Sequence, residues 1–148
     1  MSQSEVSQNV SRYVRLRDTQ FDVYVKYARR FGIPVKSLFV LDALYYTPEG
    51  CNQMEICRKA YSSKQTVSAI LKGYLERGYV ELTALPADRR NKLVRLTEAG
   101  RRYAETIVLP LTAAETAAMA QLTPEQQTLL VELTTVFGDP LQKSLEEK

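Results

Sequence analysis

The chain has 148 residues, of which 25% are charged, with a net charge of +3 and no histidine. This length allows one domain with its own core, and the composition is ordinary for a globular protein. No apolar run approaches the ~18 residues of a membrane span. Residues 1–5 lack the basic and apolar regions of a signal peptide, so we expect a cytoplasmic protein with no membrane partner.

The sequence gives little support for a metal site or for catalytic residues. Cys51 and Cys57 are too few for a disulfide framework and lack the paired spacing of a zinc site. The absence of histidine removes the usual general base and the commonest transition-metal ligand. There is also no Gly-rich phosphate loop. We therefore expect no catalytic residues, no metal site and no cofactor, and a protein that is not an enzyme.

Two helices are predicted at the start of the chain. Apolar residues at spacings of three, four and seven predict a long amphipathic helix over residues 6–31. Gly32 followed by Pro34 is a helix stop. A second, shorter helix is predicted over residues 35–46, and a turn follows it.

The next two helices are short and closely spaced. Asn52 is a polar cap for a third helix over about residues 53–60. Ser63 offers a hydroxyl cap to a fourth helix, residues 64–77, which Gly78 ends. Within that helix Gly73 costs ~1 kcal/mol relative to alanine, and close packing around it is one explanation.

A hairpin and two further helices complete the pattern. Alternating side chains predict strands over residues 79–83 and 92–96, joined by a turn over residues 86–91. A long helix follows from Glu98. The last helix should begin at Pro124 behind a Thr123 cap and run to about Phe137, where the sequence Gly138-Asp139-Pro140 should break it. Two helices joined by a tight turn and followed by a hairpin predict a mostly α-helical, winged helix-turn-helix fold.

The charges are unevenly distributed. Between Arg58 and Arg102 there are eleven Lys or Arg and four acidic residues, whereas the rest of the chain has nine bases and thirteen acids. A basic middle of +7 within flanks of −4 suggests one surface for a polyanion.

The fourth helix has a face suited to duplex DNA. If Val67, Ile70, Leu71 and Tyr74 point inward, its outward face consists of Lys64, Gln65, Ser68, Ala69 and Lys72. Small side chains allow close approach to a major groove, where Gln and Ser can address base edges and Lys can reach guanine or phosphate. The alternative is an ordinary exposed helix face, but such faces are usually richer in glutamate.

The hairpin tip is unusually basic. The sequence DRRNKLVRLT, residues 88–97, contains four positive charges in ten residues. A short charge run is most often a solvated turn. A hairpin beside a recognition helix would instead reach the adjacent minor groove, whose negative potential attracts arginine. Asp88 can then act as a brace that holds the guanidinium of Arg90 in a fixed orientation.

These motifs together resemble the multiple-antibiotic-resistance regulator (MarR) family. The resemblance is carried by residues 63–68, by residues 75–80, and by the wing pattern from Asp88 through Arg90, Val94, Leu96 and Thr97 to Gly100. It implies a homodimeric bacterial transcription regulator, most often a repressor, that binds a pseudo-palindromic operator. The DNA-contacting positions that it implies, together with those chosen from charge, are Ser63, Lys64, Gln65, Thr66, Ser68, Lys72, Arg89, Arg90 and Lys92.

The resemblance also implies a division of the single domain, residues 1–148. Residues 6–31 and 105–145 would form the dimerisation helices, and residues 35–102 the DNA-binding lobe. Independently, the first and last long helices carry more apolar surface than a small winged domain can cover. A homodimer is therefore expected on both grounds.

An effector site is a weaker expectation. Regulators of this family often respond to small phenolic or aromatic acids, and Tyr24, Tyr27 and Tyr45 lie on helices that would line such a site. Tyrosines at helical spacing are more often core or interface residues. The two cysteines are expected to be buried structural thiols rather than sensors. The alternative function is a winged-helix adaptor that binds another protein and not DNA.

Overall fold

A computed structural model describes residues 1–85 and 87–146, and the side chains of Arg89 and Arg90 lie outside this description. The fold is mostly helical with one two-stranded antiparallel hairpin, as predicted. The elements are α1 (Gln3–Arg30), α2 (Val35–Tyr45), α3 (Gln53–Lys59), α4 (Lys64–Glu76), β1 (Val80–Leu85), β2 (Asp88–Leu96), α5 (Glu98–Met119) and α6 (Pro124–Glu146). The chain divides into two compact units, residues 1–109 and residues 110–148.

The core of the first unit lies among α2, α3 and α4. Its largest fully buried side chains include Leu38, Leu41, Leu44, Ile56 and Val67. The three leucines recur at a spacing of three along α2 and so form part of its inward face. This packing fixes the position of α4 from behind and leaves its other face exposed.

Helix α1 begins earlier than predicted. Ser2 caps it through a reciprocal pair: its Oγ accepts from the amide of Glu5 at 3.2 Å, and Glu5 Oε2 accepts from the amide of Ser2 at 2.7 Å. Hydrogen bonds from the Ser2 backbone and hydroxyl lower the pKa of Glu5. The predicted start at residue 6 was wrong because apolar spacing does not report a polar first turn.

The hairpin is longer than predicted. β1 and β2 pair from Val80 opposite Leu96 outward to Leu85 opposite Asp88, with an irregularity between Ala84 and Leu85. The prediction of a turn over residues 86–91 was therefore wrong, since the strand resumes at Asp88. Polar side chains do not prevent backbone pairing, because the strand hydrogen bonds are made by the main chain.

Helix α6 also differs from the prediction. It begins as expected, with Thr123 Oγ1 accepting from the amide of Gln126 at 3.2 Å and Gln126 Oε1 accepting from the amide of Thr123 at 2.9 Å. It does not end near Phe137 but continues through Gly138 and Pro140 to Glu146. A proline inside a helix removes only one backbone hydrogen bond, so the bonds on both sides can maintain the helix.

Candidate nucleic-acid interface

The outward face of α4 is as predicted. Val67, Leu71 and Tyr74 are buried and Ile70 is half-buried. The residues on the opposite face of α4, here called the reading face, are exposed. That exposed set consists of Lys64, Gln65, Thr66, Ser68, Ala69 and Lys72. No acidic residue occurs from residue 56 to residue 75. The face therefore presents hydrogen-bonding groups and cations without a carboxylate that would repel phosphate.

Two of the predicted contact residues are also used to begin the helix. Ser63 Oγ accepts from the amide of Thr66 at 3.2 Å and donates to Thr66 Oγ1 at 3.0 Å. This is the N-cap predicted from the sequence. The cap orients both hydroxyls at the first turn of α4, which is the end that enters a groove in helix-turn-helix proteins.

The sequence did not indicate a role for Gln53, on α3. Its Nε2 donates to Ser68 Oγ at 2.5 Å and to the carbonyl of Lys64 at 3.3 Å. Gln53 thus orients one residue of the reading face from behind. The two side chains are fifteen positions apart, and no local pattern marks the pair, because their proximity arises only from the packing of α3 against α4.

The wing is attached to the helix-turn-helix by a third backbone segment. Cys51, just before α3, forms a two-way bridge with Val94 of β2: its amide donates at 3.0 Å and its carbonyl accepts at 2.7 Å. Both residues are buried. Opposite them, exposed Arg95 and Glu81 form a cross-strand ion pair at 3.6 Å. The base of the wing is therefore fixed to the segment that precedes α3.

At the wing tip, Asn91 Nδ2 donates to Asp88 Oδ2 at 3.1 Å. Asp88 therefore accepts a hydrogen bond within its own hairpin. Arg89 and Arg90 lie on the backbone of β2, but the contacts predicted for them depend on side chains outside the described part of the chain. The minor-groove role of Arg90 and the brace role of Asp88 stay predictions.

Thr97 and Gly100 of the wing pattern both lie at the junction between the hairpin and α5, here called the joint, and the contacts there explain them. Thr97 Oγ1 donates to the carbonyl of Gly78 at 2.6 Å and accepts from the amide of Gly100 at 3.0 Å. A Cβ on Gly100 would lie 1.9 Å from the carbonyl oxygen of Tyr79. Only glycine therefore permits this approach of α5 to the hairpin.

An aromatic cluster supports the same joint. The rings of Tyr79 and Tyr103 stack with centroids 4.4 Å apart, and the guanidinium of Arg77 lies 4.7 Å from the Tyr79 centroid. Behind them the hydroxyl of buried Tyr74 donates to the carbonyl of Ser37 at 3.1 Å. Burial raises the pKa of Tyr74 far above the ordinary value of 10.0. The C-terminal end of α4 is thus held to α2 and to α5.

Three of the predicted residues of α4 and Lys92 of the wing lie around one recess. A cavity of about 580 Å³ lies between them, and its lining includes Lys64, Ser68, Lys72 and Lys92. Its apolar wall includes Leu71 and Leu82. Recognition-helix and wing cations therefore face one recess, which gives a single basic surface on this side of the lobe.

The three tyrosines of the suggested effector site have internal contacts. The hydroxyl of Tyr27 donates to the carbonyl of Ile107 at 2.5 Å, and burial raises the pKa of Tyr27, opposed by Arg30. Tyr24 packs on Phe39 with ring centroids 6.3 Å apart. Tyr45 lies beneath the guanidinium of Arg101, 5.1 Å away. These contacts are those of packing residues, and the effector site stays a prediction.

The cysteines and possible metal ligands can be placed as well. Cys51 is buried, in agreement with the prediction, whereas Cys57 is only half-buried and lines the recess beside α4. Among residues 1–85 and 87–146 no cluster of three His, Cys, Asp or Glu could hold a metal ion. Within the same ranges, no helix is long and apolar enough to cross a membrane.

Comparison with known proteins identifies the winged helix. The MarR family model matches residues 31–91, which contain α2, α3, α4 and most of the wing. This segment, 61 of the 148 residues, is similar to the MarR family. The resemblance seen in the motifs is confirmed, and the match of this segment supports DNA-binding regulation.

Solved MarR structures share the fold. NMB1585, a MarR family regulator from Neisseria meningitidis, is 23% identical, with 93% of this chain and 96% of that chain covered and a TM-score of 0.79. Sco3205 from Streptomyces coelicolor, in complex with DNA, is 22% identical over 96% and 91% of the two chains, with a TM-score of 0.76. CouR from Rhodococcus jostii RHA1, bound to p-coumaroyl-CoA, is 24% identical over 93% and 97%, with a TM-score of 0.73. No curated protein matches the sequence.

Proposed function

We propose that this protein is a sequence-specific duplex-DNA-binding transcription regulator. The observation that carries the proposal is the exposed face of α4, which offers Lys64, Gln65, Ser68 and Lys72 within a stretch that contains no acid from residue 56 to residue 75. Gln and Ser can read base edges, and the lysines can neutralise phosphates. Arg89, Arg90 and Lys92 of the wing would extend this contact to the neighbouring groove.

The DNA-binding species is a homodimer in this proposal. Helix α6 buries no residue, and six of its apolar side chains are about half or more exposed: Leu129, Leu130, Val131, Leu133, Val136 and Leu145. Helix α1 buries only Ala28 and exposes Leu16 and Val23. A second copy of the chain would cover these faces and present two reading helices to a pseudo-palindromic operator.

Repression and release by an effector complete the proposal. A dimer seated on an operator would block transcription, and a small aromatic ligand would favour a geometry that cannot bind DNA. CouR, a structural relative, is bound to p-coumaroyl-CoA, which supports an effector with a phenolic group. Tyr24, Tyr27 and Tyr45 are the residues proposed to line that site.

The salt dependence of binding tests the central claim. Operators would first be selected from a random duplex library with the purified protein. Each dimer should neutralise about six to ten phosphates, so affinity should fall by roughly 10³–10⁵ between 50 and 200 mM salt. Failure to enrich any duplex, or a nearly flat salt dependence on the best one, would favour the protein-binding adaptor.

A further inference from the structure

The turn between α3 and α4 contains a residue in an unusual backbone conformation. Tyr61 has φ +48°, and it is the one non-glycine residue with positive φ among those described. Its amide donates to the carbonyl of Arg58 at 3.4 Å, and the amide of Ser62 donates to the carbonyl of Cys57 at 3.0 Å. This pair of hydrogen bonds is a Schellman motif, with Tyr61 in the position that glycine usually occupies.

Two other helices of the same chain end in this way, and both use glycine. After α1, the amides of Gly32 and Ile33 donate to the carbonyls of Arg29 and Ala28. After α4, Gly78 occupies the same position, with φ +74°. Glycine adopts positive φ without steric cost, whereas an aromatic residue brings its Cβ too close to the backbone. Tyr61 therefore destabilises a turn for which the chain elsewhere uses a better residue.

The side chain of Tyr61 does not offset this cost within the described residues. This side chain is 85% exposed, and neither its ring nor its hydroxyl makes a hydrogen bond or a ring contact among the described residues. Its hydrogen bonds are made by the backbone, through the amide described above and through the carbonyl, which accepts from Lys36 Nζ at 2.8 Å. A strained residue whose side chain points into solvent suggests that the side chain serves a partner outside the chain.

The surroundings indicate the chemistry of that partner. Tyr61 lies two residues before the Ser63 cap of α4 and follows Arg58 and Lys59, both exposed. Lys64 follows three residues later, and no acid occurs from residue 56 to residue 75. Every charged residue around the turn is therefore basic. A phenol hydroxyl in such a surface is a good donor to a phosphate oxygen.

We propose that Tyr61 donates a hydrogen bond to a phosphate of duplex DNA beside the groove that α4 enters. The inference rests on the proposed function, since it needs the start of α4 to face the duplex. Because a phosphate contact carries no base information, Tyr61 would increase affinity for every sequence and set the depth at which α4 enters the groove. The residue would thus reduce the stability of the fold and increase the affinity for DNA.

Two variants separate these effects. Tyr61→Phe retains the strained backbone and removes the hydroxyl, so affinity should fall about tenfold, the equivalent of one hydrogen bond to a charged group, with no change in thermal unfolding. Tyr61→Gly removes the hydroxyl and the strain. It should lose at least the same affinity while its unfolding midpoint rises by roughly 2–4 °C. The measurements are fluorescence anisotropy with a labelled 30-base-pair duplex of arbitrary sequence at low salt, and calorimetry.

A charged neighbour provides the control. Lys64→Ala should reduce the slope of log affinity against log salt by about 0.9 for each phosphate that is no longer neutralised, because a cation releases counterions and a neutral phenol does not. Tyr61→Phe should leave that slope unchanged. If wild-type protein binds neither this duplex nor any duplex selected from the random library, the proposed function fails and this inference with it. If wild-type protein binds and Tyr61→Phe binds equally well, only the role of Tyr61 is overturned.

Discussion

Helices α2 and α6 are both rich in apolar residues but differ in what covers them. Of the eleven residues of α2, six are buried: Ser37, Leu38, Val40, Leu41, Ala43 and Leu44. Of the 23 residues of α6, none is buried. Apolar residues alone therefore do not tell which helix is buried within its own chain. In the proposed dimer a second copy of the chain covers α6, and each prediction below tests one side of this comparison.

The largest effect is expected at the internally packed side, for Gly100→Ala. The new Cβ would lie 1.9 Å from the carbonyl oxygen of Tyr79, a distance that requires the hairpin and α5 to separate. We expect a loss of about 3 kcal/mol or more in the free energy of unfolding, since backbone cannot yield as a side chain can. Urea unfolding followed by circular dichroism measures this, and a stability equal to wild type would contradict the close approach.

On the uncovered side, the double variant Leu133→Glu with Val136→Glu should disrupt the dimer and not the fold. Both side chains are more than half exposed, at 55% and 67%. Charges at an apolar interface should raise the dimer dissociation constant by about 100-fold. Light scattering over a concentration series checks this, with Leu82→Glu on the wing as control. A wild-type chain that is monomeric at micromolar concentration would remove the dimer from the proposal.

The wing tip tests whether an exposed segment acts through DNA. Arg90→Ala should cost about 1–3 kcal/mol of operator affinity and weaken the preference for A·T pairs outside the major-groove half-site. Asp88→Ala should also weaken binding, although it removes a negative charge. With Arg90 already replaced, the further replacement of Asp88 should matter little, because the two act as one unit.

The readout is operator affinity at fixed salt for both single variants and the double. Arg89→Ala is the matched control, and it should weaken binding to all sequences about equally. Tighter binding by Asp88→Ala would show that simple charge repulsion dominates and that Asp88 is not a brace.

A smaller and opposite effect is expected at Gly73, within α4. No atom outside the local backbone lies within 4 Å of the Cβ that alanine would add. Close packing therefore does not explain this glycine, and Gly73→Ala should raise the free energy of unfolding by ~1 kcal/mol through helix propensity alone. Thermal unfolding measures the shift, and a loss of stability would mean that the site is more crowded than the structure indicates.

The buried phenol of Tyr74 should make the core sensitive to high pH. Its pKa is raised mainly by burial, whereas in the unfolded chain it ionises near the ordinary 10.0. The unfolded state therefore loses this proton first, and the contribution to stability is lost as pH rises above about 10, by up to ~1.4 kcal/mol per pH unit. Tyr74→Phe should reduce the loss between pH 8 and pH 11, and urea unfolding at several pH values over this range measures it.

Local signals in the sequence predicted much of this fold. The caps at Ser63 and Thr123 and the stop at Gly32 each depend on a few adjacent residues, and all three are found. The end of α6 could not be predicted in this way, because Gly138 and Pro140 are only locally unfavourable. A local rule cannot weigh them against a helix that continues on both sides.

The residues of the candidate site likewise fall into those that local sequence signals predict and those that they do not. The exposed face of α4 follows from helical periodicity, so its members could be chosen from the sequence. Gln53 and Tyr61 could not, because one depends on packing between two helices and the other on a φ angle where sequence statistics favour glycine. Gly100 could be named only as part of a motif, since the physical reason for it is the close approach of the Tyr79 backbone.

The bridge between Cys51 and Val94 fixes the point from which the wing extends, so the length of the hairpin sets how far its tip reaches. Beyond this anchor the outer hairpin extends six residues, from Val94 to Asp88, or roughly 20 Å at the usual rise of a strand. That reach is a little over half of the ~34 Å repeat of a duplex, and so corresponds to the step from one groove to the next. In the proposed complex, the length of the hairpin therefore selects the groove in which its tip lies. Adding one pair of residues to each strand would displace the same arginines by about 7 Å along the DNA without altering any contact at the base of the wing.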